Sequence, residues 1–123
     1  MTLERPFVIL NVAVTADGKT DTVARRGAKI SSPQDLARVD RLRAESDAIM
    51  VGGRTLLGDD PRLTVKSAEL RAARRARGLT ENPLKVGVVS KATLRLDSRF
   101  LTVGTASVLL FTTQQTDPAQ IAR

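Results

Sequence analysis

Two adjacent glycines, Gly52 and Gly53, follow an unbroken apolar run, Ala48-Ile49-Met50-Val51, and lead into Arg54-Thr55-Leu56-Leu57 at helix-like spacing. A buried strand that ends in paired glycines and opens into a helix is how α/β enzymes bring backbone N–H groups up to a phosphate. The same pair serves a plainer purpose where the chain only needs φ > 0 in a turn. Just beyond, Gly58-Asp59-Asp60-Pro61 carries turn chemistry, and Thr55 could cap the short helix. Upstream, Asn11 interrupts the apolar run FVILNVAV of residues 7–14. A buried amide is costly unless bonded, so it either pairs with neighbouring backbone or faces a ligand. Arg43, taken alone, reads as a cation near the C-terminal end of a helix dipole.

What is missing narrows the chemistry. The 123 residues contain no histidine and no cysteine, which removes the commonest general base, thiolate ligands and disulfides. Neither metal hydrolysis nor a Ser/His/Asp triad is expected, and no metal site. The net charge of +7 suits either nucleic acid or phosphorylated small molecules. With three Phe and no Trp or Tyr there is no stacking platform for single strands. Much of the excess lies in Arg71, Arg74, Arg75 and Arg77, which read as a solvated helix face, and no nucleic-acid partner is expected. No apolar run reaches membrane length and Met1–Arg5 shows no signal peptide, so the expected location is cytoplasmic, with no membrane partner.

The elements that would position these residues follow from period and punctuation. Residues 7–14 predict a buried first strand, and Asp17-Gly18 a tight turn followed by an irregular basic loop. Ser32 caps a helix opened by Pro33, with Asp35 in its first turn and Leu36, Val39 and Leu42 on one face. That helix delivers the chain to the 48–51 strand. A short exposed helix is expected within 67–78, a third strand at 84–89 closed by Ser90, loop over most of 91–100, and a fourth strand at 107–112. Asp117-Pro118 opens a last helix. Strands alternating with helices predict a mostly parallel, three-layer α/β/α domain. Four strands with about two good helices leave one face of such a sheet poorly covered. Residues 1–123 therefore read as one unit, most of the first half of a larger domain, unless a partner chain covers that face.

Two stretches, NVAVTADGKT (11–20) and ISSPQDLARVDRLRAESDAIMVGGRTLLGDDPRLTV (30–65), resemble the pyrimidine reductases of riboflavin biosynthesis, which have the dihydrofolate-reductase-like fold. The likeness runs from Pro6 to about residue 113. It implies NADPH-dependent reduction of the ribose of a ribosylaminopyrimidine 5′-phosphate to a ribityl chain. By position it implies cofactor contacts at Ala13, Gly52, Gly53, Thr55, Asp59 and Ser90, and substrate contacts at Asn11, Arg43, Leu63 and Lys66. Arg43 and Lys66 suit a sugar phosphate as bidentate and point-charge partners. Gly27 stands where the deaminase-fused relatives carry a substrate-binding serine, so that contact is not carried over.

Hydride transfer asks mainly for positioning, about 3–3.5 Å between the reacting carbons, which fits a site without His or Cys. No residue is assigned as catalytic. Asn11, as in the stand-alone archaeal and fungal relatives, favours a diaminopyrimidinone over the deaminated aminouracil, since a neutral amide can face an amino group. The deaminase zinc signature is absent from these residues. So are the glycine-rich pyrophosphate loop and the later strands of the family, whose full-length members are commonly homodimers. Two rival readings are a reductase of the same fold acting on another pterin or flavin, and a non-catalytic binding module.

Overall fold

The computed structural model describes residues 4–24 and 29–122; Gly27 lies outside them. Eight elements follow in order: α1 (Pro33–Glu45), β1 (Ala48–Gly52), α2 (Gly53–Asp59), α3 (Ala68–Ala76), β2 (Leu84–Val88), α4 (Arg99–Thr102), β3 (Val108–Phe111) and α5 (Pro118–Ile121). The strands form one parallel sheet in the order β1-β2-β3, with Met50 beside Val86 and Val86 beside Leu109. Parallel neighbours need crossover connections, and α2–α3 and α4 lie within them.

The helix starts behave as their sequences require. Ser32 Oγ accepts from the Asp35 amide at 3.1 Å and Pro33 opens α1. Asp117 Oδ1 accepts from the Ala119 amide at 2.9 Å to start α5. Ser67 caps α3 by accepting from Leu70, and Gly78, at φ +76°, ends that segment in the left-handed region. The stretch 91–100, expected as loop, is largely that, but its end and the next two residues form the single turn α4.

One face of the sheet is closed. Leu56 from α2 and Phe100 from α4, both fully buried, meet Leu63 and Val89, with Ile49, Val51 and Leu110 packed around them. Gly87 lets this contact form, since a Cβ there would sit 2.7 Å from methyl carbons of both Leu56 and Leu110. Lys85, also buried, reaches from β2 to donate to the Phe100 and Val103 carbonyls at 2.9 and 2.5 Å. It anchors the end of α4, and burial pushes its pKa down.

The opposite face is open, as the element count predicts. Register aligns Met50, Val86 and Leu109 in one row and Val88 with Phe111 in the next. Of these only Val86 is buried; Met50 is 63% exposed and Phe111 51%. The predicted first strand is a correction: residues 7–14 form no strand and every one is exposed, Phe7 to 91%. The reason is that strand propensity is mostly a fit to a pleated, half-buried surface. Among the described residues no strand pairs with the outer edge of β1 and little packs on this face, so the run has nothing to fit against. The apolar stripe of α1 is underused for the same reason. Leu36 is half exposed, while Asp40 and Ala44 are the buried residues.

Candidate functional site

The carboxyl edge of the sheet gathers part of the expected site. Gly52 ends β1 and Gly53 begins α2 without an intervening loop. Neither glycine has positive φ, so the turn reading does not apply to this pair. Gly53 eases a close approach, because a Cβ there would lie a tight 3.2 Å from the Val88 carbonyl oxygen of β2. A Cβ at Gly52 would meet nothing within 4 Å, so its backbone faces open space. Ser90 follows β2 at the same edge and is exposed; its carbonyl accepts from the Thr113 and Thr116 hydroxyls at 3.0 and 2.9 Å. In open α/β sheets ligands bind at the carboxyl ends of strands.

Thr55 and Asp59 lie four apart on α2, hence on one helix face, and both are exposed. Thr55 does not cap the helix, for α2 has no side-chain cap. The two aspartates divide their work. Asp59 uses its carbonyl to accept from Arg99 at 2.8 Å. Asp60, in the left-handed region at φ +44°, turns its carboxylate onto the α4 amides of Arg99 and Phe100 at 3.0 and 3.1 Å. These amides, the Arg99 amide first, hold the Asp60 pKa below the ordinary carboxylate value. Asp60 so takes the role of Ser98, the residue before α4, whose buried hydroxyl has no partner among the described residues.

A second group surrounds the turn after α2. Arg43 is half-buried and donates from Nη1 to the Thr64 carbonyl at 3.2 Å. Burial lowers its pKa, against the opposing charge of Asp40. A guanidinium has five N–H donors, so most of its capacity stays unused by the described residues. Lys66 is exposed on the same turn. Leu63, expected to line the substrate, sits at φ +52° with its side chain in the core, 4% exposed, beside Leu56. Any ligand contact there falls to its backbone.

Ala13 and Asn11 lie on the exposed segment of residues 7–14. Asn11 is exposed rather than buried and is not paired with neighbouring backbone: its Oδ1 accepts from Arg38 Nη2 at 2.8 Å, a side chain already paired with Asp35. The solvated reading of the arginine cluster holds for Arg75 and Arg77 and fails for the other two. Arg74 is 3% exposed and donates to the Ala44, Ser46 and Thr80 carbonyls, each at 2.8 Å. Arg71 donates to Val65 and Lys66. Asp40, Asn82 and Lys85, all buried, also escaped the sequence reading; only a polar residue inside an otherwise apolar pattern, as at Lys85, offered a signal.

A depression of about 540 Å³ lies elsewhere, under α2, lined by Leu56, Leu94, Ser98 and the Arg95–Asp97 ion pair. None of the expected site residues lines it. Among the described residues no group of three could hold a metal ion, and no helix is long and apolar enough to cross a membrane.

Comparison with known proteins places this geometry. Over 97 residues the chain is 56% identical to the 2,5-diamino-6-ribosylamino-4(3H)-pyrimidinone 5′-phosphate reductase of Archaeoglobus fulgidus, covering 79% of this chain and 44% of that protein. It is 37% identical over 122 residues to the riboflavin biosynthesis protein RibD of Chlamydia muridarum, covering 96% of this chain and 30% of that one. A Thermotoga maritima deaminase/reductase, solved by crystallography, superposes with a TM-score of 0.72 at 28% identity, over 94% of this chain and 31% of that chain. The chain thus spans less than half the length of these relatives. The α/β, dihydrofolate-reductase-like fold expected from the resemblance stands. Residues 6–123 match the family described as the RibD C-terminal domain, and the chain belongs to that family.

Proposed function

We propose that the chain forms part of the site of an NADPH-dependent reductase acting on a ribosylaminopyrimidine 5′-phosphate in riboflavin biosynthesis, the diaminopyrimidinone being favoured over the aminouracil. The observation that carries this reading is the meeting of Gly52, Gly53 and Ser90 at the carboxyl edge of the sheet, next to exposed Thr55 and Asp59 on one face of α2. The named Archaeoglobus relative supports it.

The residues present fit a nicotinamide dinucleotide. The backbone at Gly52 is open to close approach, and the exposed Thr55, Asp59 and Ser90 are free to bond its polar groups. When bound, the cofactor supplies a hydride, the chemistry that the side chains lack. Arg43 and Lys66 would hold the sugar phosphate as fixed cations, which orients the ribose without acid–base work. Asn11, tethered to Arg38, would meet the pyrimidine only once the 7–14 segment is seated as a strand. Seating it calls for the layer that the open sheet face lacks, which supports the reading of this chain as the first half of a larger domain. We further propose, from the family resemblance alone, that the complete protein is a cytoplasmic homodimer.

A fluorescence titration with NADPH, and NADH as control, tests the proposal. Saturable binding with NADPH preferred is the expected result for this chain, or for a version extended through the second half. Absence of binding by both overturns it.

A further inference from the structure

The four residues after Leu63 belong to no helix or strand, yet their backbone is held as closely as if they did. Six consecutive polar groups are bonded to side chains. The Thr64 carbonyl accepts from Arg43 at 3.2 Å, and the Val65 amide donates to Asn82 Oδ1 at 2.8 Å. The Val65 and Lys66 carbonyls accept from one nitrogen of Arg71 at 2.9 and 2.7 Å. The Lys66 and Ser67 amides donate to the two carboxylate oxygens of Asp40 at 2.7 and 2.8 Å.

Water would satisfy an ordinary surface connector. Here Asp40 is 7% exposed and Asn82 3%, so both are taken out of solvent at a cost that only good bonding offsets. Asn82 Nδ2 is itself fixed, donating to the Thr105 carbonyl at 3.2 Å. The turn leading in is strained as well, with non-glycine residues Asp60 and Leu63 both at positive φ. Such conformations persist where the surroundings over-determine them, and they cluster at ligand sites.

The clamp has a particular consequence for charge. Asp40 and Arg43 are three apart on α1 and so share a face. Asp40 holds the backbone of Lys66 from both sides of its Cα, while Arg43 bonds the residue two before it. One helix thereby sets the spacing between the Arg43 guanidinium and the point from which the exposed Lys66 side chain departs.

We propose that Asp40, supported by Asn82 and Arg71, is a positioning residue for the sugar-phosphate side of the site. It fixes the turn so that the two cations are presented as one preformed anion-binding pair. This rests on the function proposed above.

The test measures two ligands on the 123-residue chain: ribose 5-phosphate by calorimetry and NADPH by fluorescence, for wild type, Asp40→Asn and Asp40→Ala. All three are studied well below their melting temperatures. The alanine variant loses both carboxylate bonds and is expected to bind ribose 5-phosphate about tenfold more weakly. The asparagine variant keeps one acceptor oxygen and falls between. NADPH affinity is expected to stay at the wild-type value in both. A merely structural role lowers the melting temperature and leaves the ratio of the two affinities unchanged. That result, or wild-type ribose 5-phosphate affinity in both variants, overturns the inference. If the alanine variant does not fold, the asparagine variant alone decides. Wild type that binds NADPH without ribose 5-phosphate removes the cation pair and this inference with it; wild type that binds neither, both as this chain and as the version extended through the second half, overturns the inference and the proposed function together.

Discussion

Replacing Arg74 by methionine should destabilise the protein by far more than any surface arginine would. The alkyl stem is conserved in this change, so the loss isolates the guanidinium. That group is 3% exposed and makes three bonds of 2.8 Å to carbonyls of Ala44, Ser46 and Thr80. Two of these carbonyls belong to the end of α1 and the residue just past it, and the third to the connector after α3. Arg74 is therefore the tie between α1, α3 and the approach to β2. Hydrogen bonds involving a charged group contribute about 1.5–3 kcal/mol each, but three that share one buried cation do not add freely. Desolvation of the guanidinium, which lowers its pKa together with the charge of Arg77, takes back part of the gain. The net loss expected is about 2–4 kcal/mol. For a chain of this size urea slopes are about 1–3 kcal/mol/M, so the unfolding midpoint should fall by roughly 1–2 M. Arg75→Ala and Arg77→Ala serve as controls and should change stability by no more than about 0.5 kcal/mol. Arg74→Lys should recover less than half the loss, because a single ammonium cannot reach three carbonyls as a planar fork does. A midpoint for Arg74→Met within error of the two controls would refute the reasoning.

Two further outcomes follow from the same contacts. The Asp60 pKa is depressed below its ordinary 3.8, so its contribution to stability is present above that value and is lost as pH falls through the depressed folded value. Asp60→Asn, which still tolerates the left-handed backbone, should be less stable than wild type at pH 6 and converge on it in acid; a pH-independent difference in urea midpoints would count against this. Gly87→Ala should cost about 1–3 kcal/mol by overpacking, since its Cβ would meet Leu56 and Leu110 at 2.7 Å in the closed core, and an unchanged melting temperature would show that the core is looser than described.

Local chemistry along the chain was enough to locate the helix starts at Ser32 and Asp117, a helix within 67–78, the strands β1, β2 and β3 within a residue or two, and the Gly52-Gly53 junction. These depend on neighbours within a turn or a strand: a capping oxygen, a proline that fits the first helical position, an apolar run bounded by breakers. The family likeness, carried by residues 11–20 and 30–65, was legible separately, as a resemblance to known sequences that these local signals by themselves do not show.

What the tertiary structure decided concerns groups far apart in sequence. Residues 7–14 have every local mark of a strand and form none, because burial needs a surface to be buried against. Leu63, to which the resemblance gives a substrate contact, has its side chain in the core, while Arg74 looked solvated and became a buried tie. Asp40 had no distinguishing neighbour at all. Its carboxylate gained its role only when folding brought the Lys66 and Ser67 amides, more than two dozen positions away, to 2.7 and 2.8 Å. A charged side chain on a helix is solvated by default, and whether it instead bonds backbone is fixed by what the fold sets opposite it.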